Sequence, residues 1–249
     1  MSIVLILGSA PDCIRVKEFA PGTFDAIVAI NNAWRVTSNW THSIFPYDFP
    51  IDNIPETKVG QVLVNEDDFV PAQNRFGGFI YAGGTMAFTA GYWALATLQP
   101  SIIAYLGCDM VYEGKRTHFY GRGEPDPLRQ DPTLRMLEAK SARLELIAAG
   151  EGCATVNLSK KKSSRLVFRR CSIKDLDKST AIPARAGTMS LVRTARFMEQ
   201  ELAYHVESGR YWEEVDRFDI EQVDRLDKIW LEALGERASF KNPQAVLSR

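Results

Sequence analysis

Between Glu113 and Arg129 the sequence EGKRTHFYGRGEPDPLR places one histidine, His118, close to the cations Lys115, Arg116 and Arg122. An imidazole with an ordinary pKa near 6.5 accepts a proton at neutral pH. Guanidinium, ammonium or tyrosine hydroxyl groups hold a phosphate by hydrogen bonds. A base beside a phosphate-binding loop is the equipment of group transfer, although a lone loop histidine is also read as an ordinary solvated side chain. Asp109, Asp126 and Asp131, in and around the stretch, could gather Mg²⁺; no two of these three are spaced as a D-x-D pair, so the site is read as metal-free, with Mg²⁺ left open. A second set of small and hydrogen-bonding residues recurs after apolar runs: Gly8-Ser9-Ala10, Asn31-Asn32, Gly107-Cys108-Asp109 and Asn157-Leu158-Ser159. The first matches neither GxGxxG nor the GxxxxGK phosphate loop.

Those runs define the elements that must position the chemistry. Ile3–Leu7, 24–30, 43–45, 59–64, 101–106 and 154–158 are rich in β-branched and aliphatic residues and read as strands. Gly83-Gly84-Thr85 opens MAFTAGYWALATL, too long for a strand and rich in Ala, Leu and Met, which reads as a buried helix ending near Pro100. Leu134, Leu137, Leu144 and Ala148 recur at helical spacing and predict a helix over 133–149. Alternating strands and helices predict an α/β fold: a Rossmann-like parallel sheet with helices on both faces. In such a sheet ligands bind beyond the carboxyl ends of the strands, so the small-residue turns are expected on one edge. Turns need such residues in any case. Glycine lets backbone approach a phosphate or ribose closely, and a helix opening at Gly84-Thr85 adds free N–H donors. The long 113–131 segment, with three Gly and two Pro between Glu113 and Arg129, predicts a mobile loop. The domain reading is a Rossmann-like unit over 1–180 and a helical C-terminal region, extension or lid over 181–249. Asp219 and Gln222 have capping-box-like spacing ahead of Ile220, Val223, Leu226, Trp230 and Leu234. The C-terminal helices are expected to pack on the sheet or to mediate a homo-oligomer, with Tyr204, Tyr211, Trp212 and Trp230 as packing aromatics.

Composition narrows the class. The chain has 249 residues, 45% apolar and 24% charged, with 30 Lys or Arg against 31 Asp or Glu. No global field points to nucleic acid or an anionic membrane. Lys160-Lys161-Lys162-Ser163-Ser164-Arg165 with Arg169-Arg170 is a local basic run, read as a solvated loop or as a contact for an anionic donor or acceptor. Four dispersed cysteines and three histidines give no zinc or disulfide pattern, which predicts a reducing compartment. The N-terminus lacks the basic n-region of a signal peptide. No stretch approaches the roughly 20 apolar residues of a membrane span. The expected location is cytoplasmic, with peripheral attachment to an inner membrane left open.

The loop Gly8-Ser9-Ala10-Pro11-Asp12, the Asn31-Asn32 pair, the Gly83-Gly84-Thr85 helix start and Gly107-Cys108-Asp109 follow one another in an order that resembles the bacterial sialyltransferases of the Campylobacter type, glycosyltransferase family 42, and the related motility-accessory flagellin-modifying proteins. The match covers about residues 1 to 165. The resemblance implies a Rossmann-like domain of the GT-A variant kind with a smaller lid, binding a CMP-activated sialic acid and inverting its anomeric carbon without a metal. It implies nucleotide contacts at Gly8, Ser9, Ala10, Asn31, Asn32, Gly84, Thr85, Gly107 and Asp109. It also implies two tyrosines at the leaving phosphate, matched by Tyr112 and, among His118, Phe119 and Tyr120, by Tyr120. The family's histidine base lies just before the helix read at 133–149. This chain has no histidine there, and His118, roughly ten residues earlier, is the nearby candidate for the role. The expected partners are a nucleotide-sugar donor and a glycan acceptor. The alternatives are a pyrophosphokinase-like phosphoryl transferase, as among the motility-accessory relatives, and a nucleotide-sugar-binding protein without catalysis.

Overall fold

The computed structural model describes residues 1–112, 116–123, 129–179 and 186–235. Seven strands form one parallel sheet: β1 (Ile3–Leu7), β2 (Ala26–Ile30), β3 (His42–Ile44), β4 (Val62–Val64), β5 (Ile102–Leu106), β6 (Ala154–Asn157) and β7 (Arg169–Arg170). Their order across the sheet is β4-β3-β2-β1-β5-β6-β7. The chain therefore builds outward from β1 in one direction, returns, and builds outward from β5 in the other. β1 pairs in register with both, Ile3 to Ile102 through Leu7 to Leu106 on one side and Val4 to Ala26 through Leu7 to Ala29 on the other. The reversal between β1 and β5 is the point at which open parallel sheets bind ligands.

The expected Rossmann-like α/β architecture is the one observed, and period-2 alternation explains its two cores. Val4 and Ile6 of β1, Val28 of β2 and Tyr105 of β5 enter one core, while Leu5, Leu7, Ile27, Ala29, Ala104 and Leu106 enter the other. The first core is covered by α-helices: α1 (Glu66–Arg75), α2 (Phe79–Ala82), α3 (Met86–Thr97), α4 (Leu137–Gly150), α5 (Ala186–Leu202) and α6 (Ile220–Leu234). The second is covered by 3-10 turns at Pro11–Glu18, Asn31–Val36 and Ile173–Lys178. The sequence pattern has no element over 65–82. There the structure has α1, capped reciprocally by Asn65 and Asp68, and then α2.

The helical C-terminal region is present and shares the first core through Tyr204, Val223, Leu226 and Trp230. It is fastened by buried polar groups. Arg143 of α4, 1% exposed, donates to both Glu199 carboxylate oxygens at 2.7 and 2.9 Å, to Tyr92 Oη at 2.7 Å and to the Phe76 carbonyl. Trp230 Nε1 donates to Glu199 as well, at 3.0 Å. Lys140 Nζ donates to Asp227 at 2.8 Å and to the Ile80 carbonyl at 2.9 Å. Asp219 caps α6 through the N–H groups of Glu221 and Gln222. Its own N–H goes to the Tyr204 hydroxyl, so the reciprocal half of a capping box is not formed.

Candidate functional site

The loop after β1 and the end of β5 touch backbone to backbone. Gly8 N–H donates to the Leu106 carbonyl at 2.9 Å and Ala10 N–H to the Gly107 carbonyl at 3.0 Å. A Cβ on Gly8 would lie 2.3 Å from Gly107 O, and Gly107 itself has φ +74, with Cys13 Cβ 2.7 Å from where its own Cβ would be. Only glycine permits this approach. It leaves Ser9 and Ala10 at the mouth of the β1–β5 crevice.

The segment carrying His118 closes over the same mouth. Phe119 N–H donates to the Ser9 carbonyl at 2.9 Å, and His118 and Gly121 exchange backbone hydrogen bonds at 2.9 and 3.1 Å. Arg116 donates to the Phe119 carbonyl and so spends part of its guanidinium on shaping the turn. His118 is only 7% exposed. It lies between Tyr112 (centroids 5.9 Å apart, planes at 30°) and Tyr120 (5.0 Å, 21°). The three expected catalytic residues are thus brought together. Thr117 Oγ1 sits 2.9 Å from His118 Nδ1 and accepts from Gly123 N–H at 3.2 Å. Burial lowers the imidazole pKa below 6.5 because the cation loses hydration. Neutral imidazole is therefore the form present at neutral pH.

Asn31 opens the turn after β2 in a left-handed conformation, φ 50. The Oδ1 atoms of Asn31 and Asn32 are buried without hydrogen-bond partners among the described residues. Unpaired buried acceptors are costly unless a ligand or water meets them. Thr85 caps α3 by accepting from Phe88 N–H at 3.4 Å. Because α3 leads into the start of β5, its N-terminus lies at the carboxyl edge. Gly84 packs there against Thr133 and Tyr211, with 2.3 and 3.2 Å from an added Cβ to their hydroxyl oxygens.

Asp109 behaves differently from the other strand-end residues. Its carboxylate is 1% exposed and accepts from Ser159 Oγ at 2.6 Å and, more weakly, from Asn157 Nδ2 at 3.5 Å. It cross-links β5 to β6 and anchors the basic segment, whose Arg165 N–H donates to the Asp109 carbonyl at 2.9 Å. Asp131 has another set of partners, Thr133 N–H at 2.8 Å, Tyr211 Oη at 2.9 Å and Arg129 at 3.0 Å. Among the described residues no three His, Cys, Asp or Glu side chains gather as a metal site; Lys115 and Asp126 lie outside the described residues. Cys13 and Cys108 are free thiols at this edge. Burial pushes Cys13 up to about 12 and Cys108 well above its ordinary value, so neither supplies a thiolate.

Sequence reasoning missed the contribution of the C-terminal region to this edge. Tyr211, read as a packing aromatic, is buried and also holds Asp131, while its neighbour Trp212, 46% exposed, stacks on Tyr47 beyond β3 at 6.0 Å between centroids. The signal was an Asp-x-Thr turn, Asp131 to Thr133, placed next to an apolar helix, but its partner lies about 80 positions away. A cavity of about 280 Å³ lined by Trp34, Arg35, Trp40, Pro55 and Lys58 lies elsewhere, toward the segments that enter β3 and β4. No helix among the described residues is long and apolar enough to cross a membrane. No family model, curated protein or solved structure matches the chain.

Proposed function

We propose that this protein is a glycosyltransferase that takes a sugar, sialic acid or a related nine-carbon sugar, from a CMP-activated donor and transfers it to a glycan hydroxyl with inversion. The observation that carries the reading is the His118 imidazole, kept neutral by burial, held between Tyr112 and Tyr120 on a segment hydrogen-bonded to Ser9 at the β1–β5 reversal.

The nucleotide lies along the carboxyl edge. Backbone around Ser9 and Ala10 meets the phosphate, and the unpartnered Asn31 and Asn32 carbonyl oxygens accept from ribose hydroxyls or a base amino group. Gly84-Thr85 and the N-terminus of α3 add donors to the same edge. With Nδ1–H turned to the Thr117 hydroxyl, His118 Nε2 carries the free lone pair. It takes the proton of the acceptor hydroxyl as that oxygen bonds to the anomeric carbon. The bond from the anomeric carbon to the phosphate oxygen breaks, and its electron pair leaves with CMP. The Tyr112 and Tyr120 hydroxyls donate to the departing phosphate, where charge accumulates in the transition state.

The test is a thermal-shift series with CMP, CDP, UDP and ATP, with and without Mg²⁺, followed by hydrolysis of a CMP-linked sugar by the native protein and His118→Ala. CMP at about a hundredfold over its Kd stabilises by ~2.7 kcal/mol, a rise of roughly 5–10 °C for a chain of this size. Hydrolysis falls by a factor of about 10² to 10⁴ in the variant. A shift with ATP and Mg²⁺ but not CMP replaces this reading with phosphoryl transfer. CMP binding without His118-dependent hydrolysis leaves a nucleotide-sugar-binding protein.

A further inference from the structure

Between Lys160 and Lys178 stand eight Lys or Arg against two Asp, a net +6 in a chain of formal net charge −1, so the remainder carries −7. The fold puts this charge beside the candidate site. The segment leaves the carboxyl end of β6, and β7 pairs parallel with the last two residues of β6, so Cys171 to Lys178 also emerges at the carboxyl edge. Lys160 N–H donates to Asp12 in the turn after β1, and Lys161 Nζ to the Val111 carbonyl just beyond β5.

The charge is poorly compensated. Arg165 and Lys178 have carboxylates nearby, Glu138 at 3.8 Å and Asp175 at 3.3 Å. Lys160, Lys161, Lys162, Arg169, Arg170 and Lys174 have no ion-pair partner among the described residues. Arg169 instead donates to Ser179 Oγ, and Arg170 to the Ser159 carbonyl. All of these except Lys161 are exposed. The nearest strand-end carboxylates, Asp12 and Asp109, are already held by Arg15 and Ser159.

We infer that this basic rim docks a polyanionic saccharide, the acceptor of the transferase proposed above. The assignment of the ligand as acceptor rests on that proposal; the binding itself does not. The surface suits a water-soluble anion better than a membrane, because Leu166, Phe168 and Leu176 are buried and no large apolar side chain of the segment is exposed to enter a lipid interface. It suits a saccharide better than single-stranded nucleic acid, because its one aromatic ring, Phe168, is buried and cannot stack a base.

The experiment is titration calorimetry without nucleotide, using an oligogalacturonide, which carries one carboxylate per residue, against a neutral maltooligosaccharide of equal length. The charged chain binds, the neutral one does not, and affinity falls steeply with added salt. Lys160→Glu with Lys162→Glu, both at exposed side chains, weakens binding roughly tenfold and leaves the melting temperature and the CMP-induced shift unchanged. Binding of both saccharides alike, or unaltered affinity in the variant, overturns the inference. So does preference for phosphatidylserine vesicles or for an oligonucleotide over the charged saccharide. Failure of the CMP shift with saccharide binding intact overturns the donor assignment alone.

Discussion

Gly8→Ala tests whether the β1–β5 reversal is built on backbone contact. The added methyl would stand 2.3 Å from Gly107 O and 2.6 Å from Cys108 Sγ. The thiol can rotate, but the carbonyl cannot, because it belongs to the chain leaving β5 and accepts from Ala10 N–H at 3.0 Å. Reaching ordinary van der Waals separation requires the two loops to part by about 1 Å in a close-packed interior. Overpacking of this kind costs ~1–3 kcal/mol. Stretching the Gly8–Leu106 and Ala10–Gly107 hydrogen bonds adds about 1 kcal/mol each. The expected total is roughly 3–5 kcal/mol, a fall in Tm of about 6–20 °C by calorimetry. The CMP-induced shift should also disappear, since Ser9 and Ala10 move with the loop. Gly150→Ala is the matched control. Gly150 ends α4, is exposed, and an added Cβ there has no neighbour within 4 Å, so alanine should leave stability unchanged or raise it by ~0.4–1 kcal/mol. A Gly8→Ala protein that melts with the native one and responds equally to CMP refutes the reasoning.

Two further outcomes follow from buried groups. Arg143→Met leaves the Glu199 carboxylate buried with Trp230 Nε1 as its remaining side-chain donor, which should cost ~3–5 kcal/mol in urea unfolding. A deficit under about 1 kcal/mol contradicts the account. His118 and His42 both have pKa values lowered by burial, so their neutral forms favour the fold. Their contribution is full above the ordinary value near 6.5 and is lost as pH falls through the lower folded values. His118→Gln should therefore lose less stability than the native protein between neutral and mildly acidic pH. His42 contributes to the acid loss that remains, and identical profiles would remove burial of His118 from the argument.

The strands were legible because buried parallel strands are short apolar runs that stop at small residues, and the order Gly8, Asn31, Gly107, Asn157 marked where they stop. Their ends were less so: the run read from Phe24 begins pairing at Ala26, and the one read from Val59 pairs only from Val62. The segment 65–82 gave no pattern because α1 contains Pro71 and α2 is four residues long. In α4, Lys140 and Arg143 interrupt an apolar stripe between Leu137 and Leu144. By themselves they read as solvent-facing charges, and their burial depends on Asp227 and Glu199, 87 and 56 positions away.

For the candidate site the division is similar. Residue types alone located glycines at strand ends, a lone histidine in a polar loop and a basic run after the last of the strands read from the sequence. They did so because backbone conformation and proton chemistry belong to single residues. The tertiary structure decided that β1 and β5 are neighbours, so that Gly8 meets Gly107. It decided that His118 is enclosed by two tyrosines, that Asp109 is occupied by Ser159, and that Tyr211 reaches Asp131. Each of these depends on strand order and on desolvation, which arise only when segments distant in the chain exclude water from one another.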